Sequence, residues 1–280
     1  MEVKTIIVIN DNTAEAVHAA MLALNIARKE NAGIILANEI KVAAGGGLEK
    51  QAITASRYQN TPADESHDGL LETLQSYNNQ SGQNKVDIRE IDISEFVVDD
   101  LSAFIIKNNI WLIVKGSRAF DDQVDGLHIN IQYVLNKVMC PLLLLPASCK
   151  IKDFERIVYV ADLRYCRLPV ARYLVEFAQP YEANLFINHL SAKGLPHMDE
   201  KYALSFFKEE FKNKVNYDRL YFQNIRERDI KKAVDVMING MHIDLLAFVN
   251  HRFHFEQILG RMIPDNLPDQ ITIPLLIFPY

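Results

Sequence analysis

Two aspartates, two polar turns and a pair of histidines are the residues of this chain best equipped for chemistry. Asp11 and Asp162 each stand directly after a short apolar run. Gly116, Ser117 and Arg118 close another such run, and Asn250, His251 and Arg252 close its counterpart near the C-terminus. A turn of this kind can offer backbone N–H groups and a guanidinium to an anion, and glycine lets the backbone approach it closely. Asp11 and Asp162 are equally at home as helix-start residues, the preferred reading. His251 and His254 are three residues apart, with His242 and Asp244 nearby, so two imidazoles sharing a helix face could ligate Zn²⁺. They straddle a strand-to-helix turn, however, and no second pair has ligand spacing. A polar, partly exposed turn is therefore preferred to a metal site, as a solvated face is to an anion site built on Arg252 and Arg261. Cys140, Cys149 and Cys166 form no CxxC and read as small apolar residues in a reducing compartment. With no nucleophile elbow, P-loop, HExxH or kinase signature, no catalytic residue is expected.

The elements that must position these residues follow one order, twice. Residues 4–10 form a continuous apolar run, as for a strand buried on both faces of a parallel sheet. Asn12 with Glu15 resembles a helix cap with its reciprocal acid, and Val17, Met21 and Leu24 supply helical spacing. Residues 33–38 make strand two, a helix is expected over about 65–79, and 86–93 alternate as an edge strand does. A helix on Val97, Leu101, Phe104 and Ile105, a strand over 110–116, a helix over about 129–138 and an apolar strand at 140–146 complete the half. The second half repeats this through strands near 156–161, 184–188, 219–225, 243–249 and 273–279. Asp11 maps onto Asp162 at an offset of 151 and Pro141 onto Pro274 at 133, so the duplicate is 18 residues shorter between those points. That loss falls at 41–85, a loop-rich stretch whose triplet Gly45, Gly46 and Gly47 lacks phosphate-loop spacing. Trp111 stands where the copy has Asp244, and a local core role is preferred for it. Five strands alternating with four helices in each half predict two open, doubly wound α/β domains, over 1–147 and 154–280.

The 280 residues suffice for two such cores, and 49% hydrophobic with 24% charged residues is an ordinary globular composition. The net charge of -6 is uneven, with 13 basic and 19 acidic residues in 1–150 and 17 of each afterwards. Neither half has the basic excess of a nucleic-acid binder. No apolar run approaches the ~18 residues of a membrane span, and the N-terminus shows no signal-peptide pattern. A cytoplasmic protein with no membrane or nucleic-acid partner is expected.

Two five-stranded units, each with Asp after strand one and a Gly-Ser-Arg-like turn after strand four, followed by a Pro-Leu-Leu strand, resemble the universal stress protein family in its tandem form. The resemblance implies an adenine nucleotide alpha hydrolase-like fold over nearly the whole chain. It also implies last strands that meet, as an intrachain pseudo-dimer, with further homodimerisation possible. Members that bind ATP carry G-x2-G-x9-G-[ST] after strand four, and the aspartate after strand one contacts their adenosine end. Gly116 and Ser117 match the start of that motif, but Ala119 replaces its second glycine and Ile129-Asn130 its final pair. Asp121, Asp122 and Asp125 add negative charge where phosphates would lie. In the second half Asn250, His251, Arg252 and Phe253 replace the first glycines, and Gly260-Arg261 falls short of the last position. The expectation is a non-catalytic, stress-linked binding or scaffolding protein with an unidentified protein partner. ATP or AMP binding through Asp11, Gly116 and Ser117 is the alternative, and a metal- or anion-responsive module at His251, Arg252 and His254 the second.

Overall fold

The computed structural model describes residues 3–39, 69–80, 85–117, 129–250, 253–261, 263–264 and 267–280. The predicted Gly45–47 loop, Arg118, Ala119, Asp121, Asp122, Asp125, His251 and Arg252 lie outside them.

In the first half the strands are β1 (Thr5–Asn10), β2 (Gly33–Asn38), β3 (Ile88–Asp92), β4 (Leu112–Gly116) and β5 (Leu142–Leu145). The helices between them are α1 (Ala14–Glu30), α2 (Leu70–Gln80), α3 (Val98–Lys107) and α4 (Ile131–Leu135). The second half supplies β6 (Arg156–Ala161), β7 (Asn184–Leu190), β8 (Leu220–Ile225), β9 (Leu245–Val249) and β10 (Leu275–Phe278). Its helices are α5 (Leu168–Ala178), α6 (Glu200–Phe207), α7 (Ile230–Asp235) and α8 (Phe253–Leu259). Both α6 and α7 run on into a widened π turn.

These strands form one sheet of ten in the order β3-β2-β1-β4-β5-β10-β9-β6-β7-β8. Within each half every pairing is parallel, with strand one central, so helices cross on both faces and β1, β2, β4 and β5 are apolar almost throughout. β3 is the exception: at the sheet edge it keeps only Ile88 and Ile91 half-buried, as its alternation predicts. The halves join where β5 meets β10 antiparallel, Leu143 opposite Leu276. Two apolar layers, one on each face, run through both halves; Leu143 and Leu276 belong to one, Leu142 and Ile277 to the other.

Several local expectations are corrected. The cap of α1 is Thr13, whose Oγ1 accepts from the Ala16 N–H at 3.2 Å. Asn12 stands at φ 63°, a left-handed turn that moves the helix start one residue on. The helix expected over 129–138 shortens to α4, which Asn130 caps through Gln132 N. Trp111 does not serve a purely local core. Its ring stacks on Tyr173 and Phe177 of α5, in the other half, at centroid distances of 5.2 and 6.0 Å.

Candidate functional site

Doubly wound sheets hold ligands beyond the C-terminal ends of their strands, and the described site residues expected from the sequence stand at that end of each half. In the first half, the carboxylate of Asp11 is buried and accepts from Thr13 Oγ1 at 2.6 Å, with Lys115 Nζ 4.0 Å away. Beside it a polar ladder crosses three strands: Asn10 Nδ2 donates to Asn38 Oδ1 at 2.7 Å, and Asn38 Nδ2 to Glu90 Oε1 at 2.5 Å. The buried carboxylate of Glu39 accepts from Ile129 N at 3.1 Å.

Gly116 comes close to a helix backbone rather than being displayed in an open turn. A Cβ there would lie 2.6 Å from the carbonyl carbon of Glu15 in the first turn of α1. Ser117 is buried and already engaged. Its N–H donates to Leu145 O at 2.8 Å, and its Oγ accepts from Leu267 N, in the other half, at 3.1 Å.

The same end of the second half is bounded more fully. Asp162 caps a short turn at 163–165 and takes a two-pronged contact from Arg164, Nε to Oδ1 at 2.8 Å and Nη2 to Oδ2 at 2.6 Å. Ala192 N donates to the same carboxylate at 2.8 Å. Burial alone would raise the Asp162 pKa, but Arg164 and the two backbone N–H donors outweigh it and hold the carboxyl below its ordinary value. His189 is fully buried, and its Nδ1 accepts from Leu163 N at 3.1 Å, which identifies a neutral ring protonated on Nε2. Burial keeps its pKa low, against the pull of Asp162.

His254 is buried too, not partly exposed as the sequence suggests. Its Nε2 lies 3.1 Å from Leu190 O, and burial pushes its pKa down to about 4. Asp162, Tyr165, Phe248 and His254 line a cavity of about 20 Å³, room for a water-sized guest against the ~300 Å³ or more of a small-molecule site. Among the described residues no group of three His, Cys, Asp or Glu is placed to hold a metal ion.

Asn250 is not the counterpart of Gly116. In the strand register Gly116 pairs with Leu145 as Val249 pairs with Phe278, so Asn250 stands at the Ser117 position. It is also committed across the halves, its Oδ1 accepting from Gln132 Nε2 at 2.9 Å and its Nδ2 lying 3.3 Å from Asn136 Oδ1. Gln132 Oε1 in turn accepts from Ile263 N at 3.1 Å.

The structure thus brings Asp11 near Gly116 and Ser117 through α1 and β4, and gathers Asp162 with His254. Arg118, His251 and Arg252 cannot be placed among the described residues. Sequence reasoning missed Lys115, Arg164, His189 and the ladder of Asn10, Asn38 and Glu90. Part of their signal was present: β1 and β2 end on Asn10 and Asn38, and β7 carries Asn188 and His189 just before its last residue. The cysteines are free, Cys140 and Cys149 buried; burial raises the pKa of all three, that of Cys149 to about 11 and of Cys166 to about 12.

No protein-family model matches the chain, and no curated protein matches it by sequence. Solved structures do match by shape. A universal stress protein from Archaeoglobus fulgidus superposes with a TM-score of 0.63 at 12% identity, covering 99% of both chains. A putative universal stress protein from Pseudomonas aeruginosa UCBPP-PA14 gives 0.54 at 11% identity, over 99% of this chain and 93% of the other. A functionally unknown protein from Pseudomonas aeruginosa PAO1 gives 0.54 at 11% identity, over 99% and 92%. At such low identity shape is the common ground, and over its full length this chain carries the fold of the universal stress proteins.

Proposed function

We propose that this protein is a non-catalytic, stress-linked binding or scaffolding protein in which the motif-dependent ATP sites have been given over to joining the two halves. The observation that carries this reading is the fate of the strand-four turns. Ser117 Oγ is bonded to Leu267 N and Asn250 to Gln132, each a partner in the other half. A ligand phosphate would have to displace those bonds and leave buried polar groups unpaired, at a cost of ~1–3 kcal/mol for each group. The close approach of Glu15 to Gly116 and the engagement of Asp162 by Arg164 support the same reading. In this proposal the halves behave as an intrachain pseudo-dimer of units over 1–147 and 154–280, the protein works in the cytoplasm, and its partner is another protein.

Calorimetric titration of the whole chain with Mg-ATP tests the proposal, with Asp11→Ala in parallel. No heat and no thermal shift at millimolar nucleotide are expected. Micromolar binding that Asp11→Ala abolishes would overturn the proposal and make the first half a nucleotide sensor. That second reading has one observation in its favour. Asp11 is held by Thr13, and Lys115 stands 4.0 Å away, so a cation is at hand beside its carboxylate.

A further inference from the structure

A second concave site lies at the opposite end of the first half, where β1, β2 and β3 begin. Residues at the end of α1 and the approach to β3 border an open groove of about 560 Å³, within the ~300–1,000 Å³ typical of small-molecule sites. Val3 is the exposed apolar residue of its lining, with Ala27, Ala32 and Val86 buried behind it, and its charges come from Arg28, Lys85, Arg89 and Asp87. Asp87 is paired with Arg89 at 3.1 Å, and both are largely exposed, so the pair is weak.

Two cationic charges remain in excess, in the half of the chain where acids outnumber bases by 19 to 13. The C-terminus of α1 by itself accounts for Arg28, because helix ends attract cations. It does not account for Lys85 and Arg89, which arrive from a different element. The guanidinium of Arg28 is oriented by a 2.9 Å bond from Nη2 to Tyr77 O, while its Nε is buried with no hydrogen-bond partner among the described residues.

We propose that this groove binds a small organic anion, its acid group between Arg28 and Lys85 and its body against the exposed side chain of Val3. Arginine supplies a planar donor fork and lysine a mobile point charge, a combination suited to a phosphate or carboxylate. The site is independent of the strand ends at β4 and β9, so its ligand need not be a nucleotide.

The test titrates the full chain with 1-naphthyl phosphate, 1-naphthoate and uncharged 1-naphthol, read by calorimetry. Saturable binding of at least one anion is expected, with Kd on the order of 0.1–1 mM. The naphthol should bind at least about tenfold more weakly, and anion binding should weaken as salt rises. Whichever of the phosphate and the carboxylate binds more tightly identifies the acid group. Arg28→Gln with Lys85→Gln should weaken the anion about tenfold or more. Lys85→Gln alone, at an exposed position, should weaken it several-fold with an unchanged melting temperature. Equal binding of naphthol, an unchanged affinity in Lys85→Gln, or no saturable binding of either anion would overturn the proposal. So would loss of binding in Asp11→Ala, which would place the anion at the other end of the strands.

Discussion

Asp162 and His254 line one cavity, and both titrate below their ordinary values for different reasons. The aspartate is held down by Arg164 and backbone donors against its own burial, the histidine by burial itself. For His254 the folded value of about 4 lies below the ordinary 6.5, so the unfolded chain takes up the proton first. Its contribution is therefore fully present above pH 6.5 and is lost as pH falls toward about 4, up to ~3 kcal/mol in all. Asp162 shares the sign, but its loss begins only below its ordinary 3.8. Denaturant melts at pH 7 and pH 4.5 should show wild type losing more stability than His254→Gln, which keeps a donor for Leu190 O. Equal losses would mean that His254 is not excluded from protonation. His189, depressed in the same direction, should keep some acid sensitivity in the variant. The spacing of His251 and His254 was legible in the sequence; that His254 folds inward against Leu190, 64 positions away, was not.

At the scale of elements, α1 against β4 shows how close packing uses a residue that resembles a ligand contact. The first turn of α1 lies so near Gly116 that an added methyl would meet backbone, not a side chain that can move aside. Gly116→Ala is expected to destabilise by ~1–3 kcal/mol, the usual cost of overpacking, with a clear fall in melting temperature. A neutral substitution would show that the helix start can shift, and would restore Gly116 as a residue open to another role. The repeated elements also diverge. Asp244 accepts from Glu155 N and Arg156 N at 2.9 and 2.8 Å, tying down the start of β6. Trp111, in the same place in the first half, instead receives Lys4 over its ring at 4.3 Å and packs on α5. Lys4 in turn bridges Glu30 and Glu176 at 2.6 and 2.7 Å, one in each half. Strand and helix order were legible because apolar runs and 3.6-residue spacing are local signals. The change of role from Asp244 to Trp111 was visible only as a swap of residue type, since the surface it meets comes from another element.

For the whole molecule, the seam between β5 and β10 decides whether either half can stand alone. Leu142, Leu143, Leu144 and Leu145 are all buried, and Leu143 faces Leu276 across the antiparallel pairing. Without the second half that strand becomes an unpaired, fully apolar edge, which is an aggregation hazard. Residues 1–147 expressed alone are expected to self-associate, seen as dimers or larger species by light scattering after gel filtration. A monodisperse, cooperatively folding monomer would contradict this and show that the seam adds little to the stability of the half.

The sequence by itself determined the alternation of strands and helices, the duplication, the sheet-edge character of β3 and the positions of Asp11 and Asp162 at the ends of β1 and β6. Each of these is written in runs of neighbouring residues, where burial on one face or two leaves a period. Only the tertiary structure decided what the polar turns do. Ser117 meets Leu267, 150 positions away, and Gln132 meets Asn250, 118 positions away. A hydrogen bond between residues so far apart leaves no period in either local sequence. It becomes visible only when the antiparallel pairing of β5 with β10 brings the two halves together.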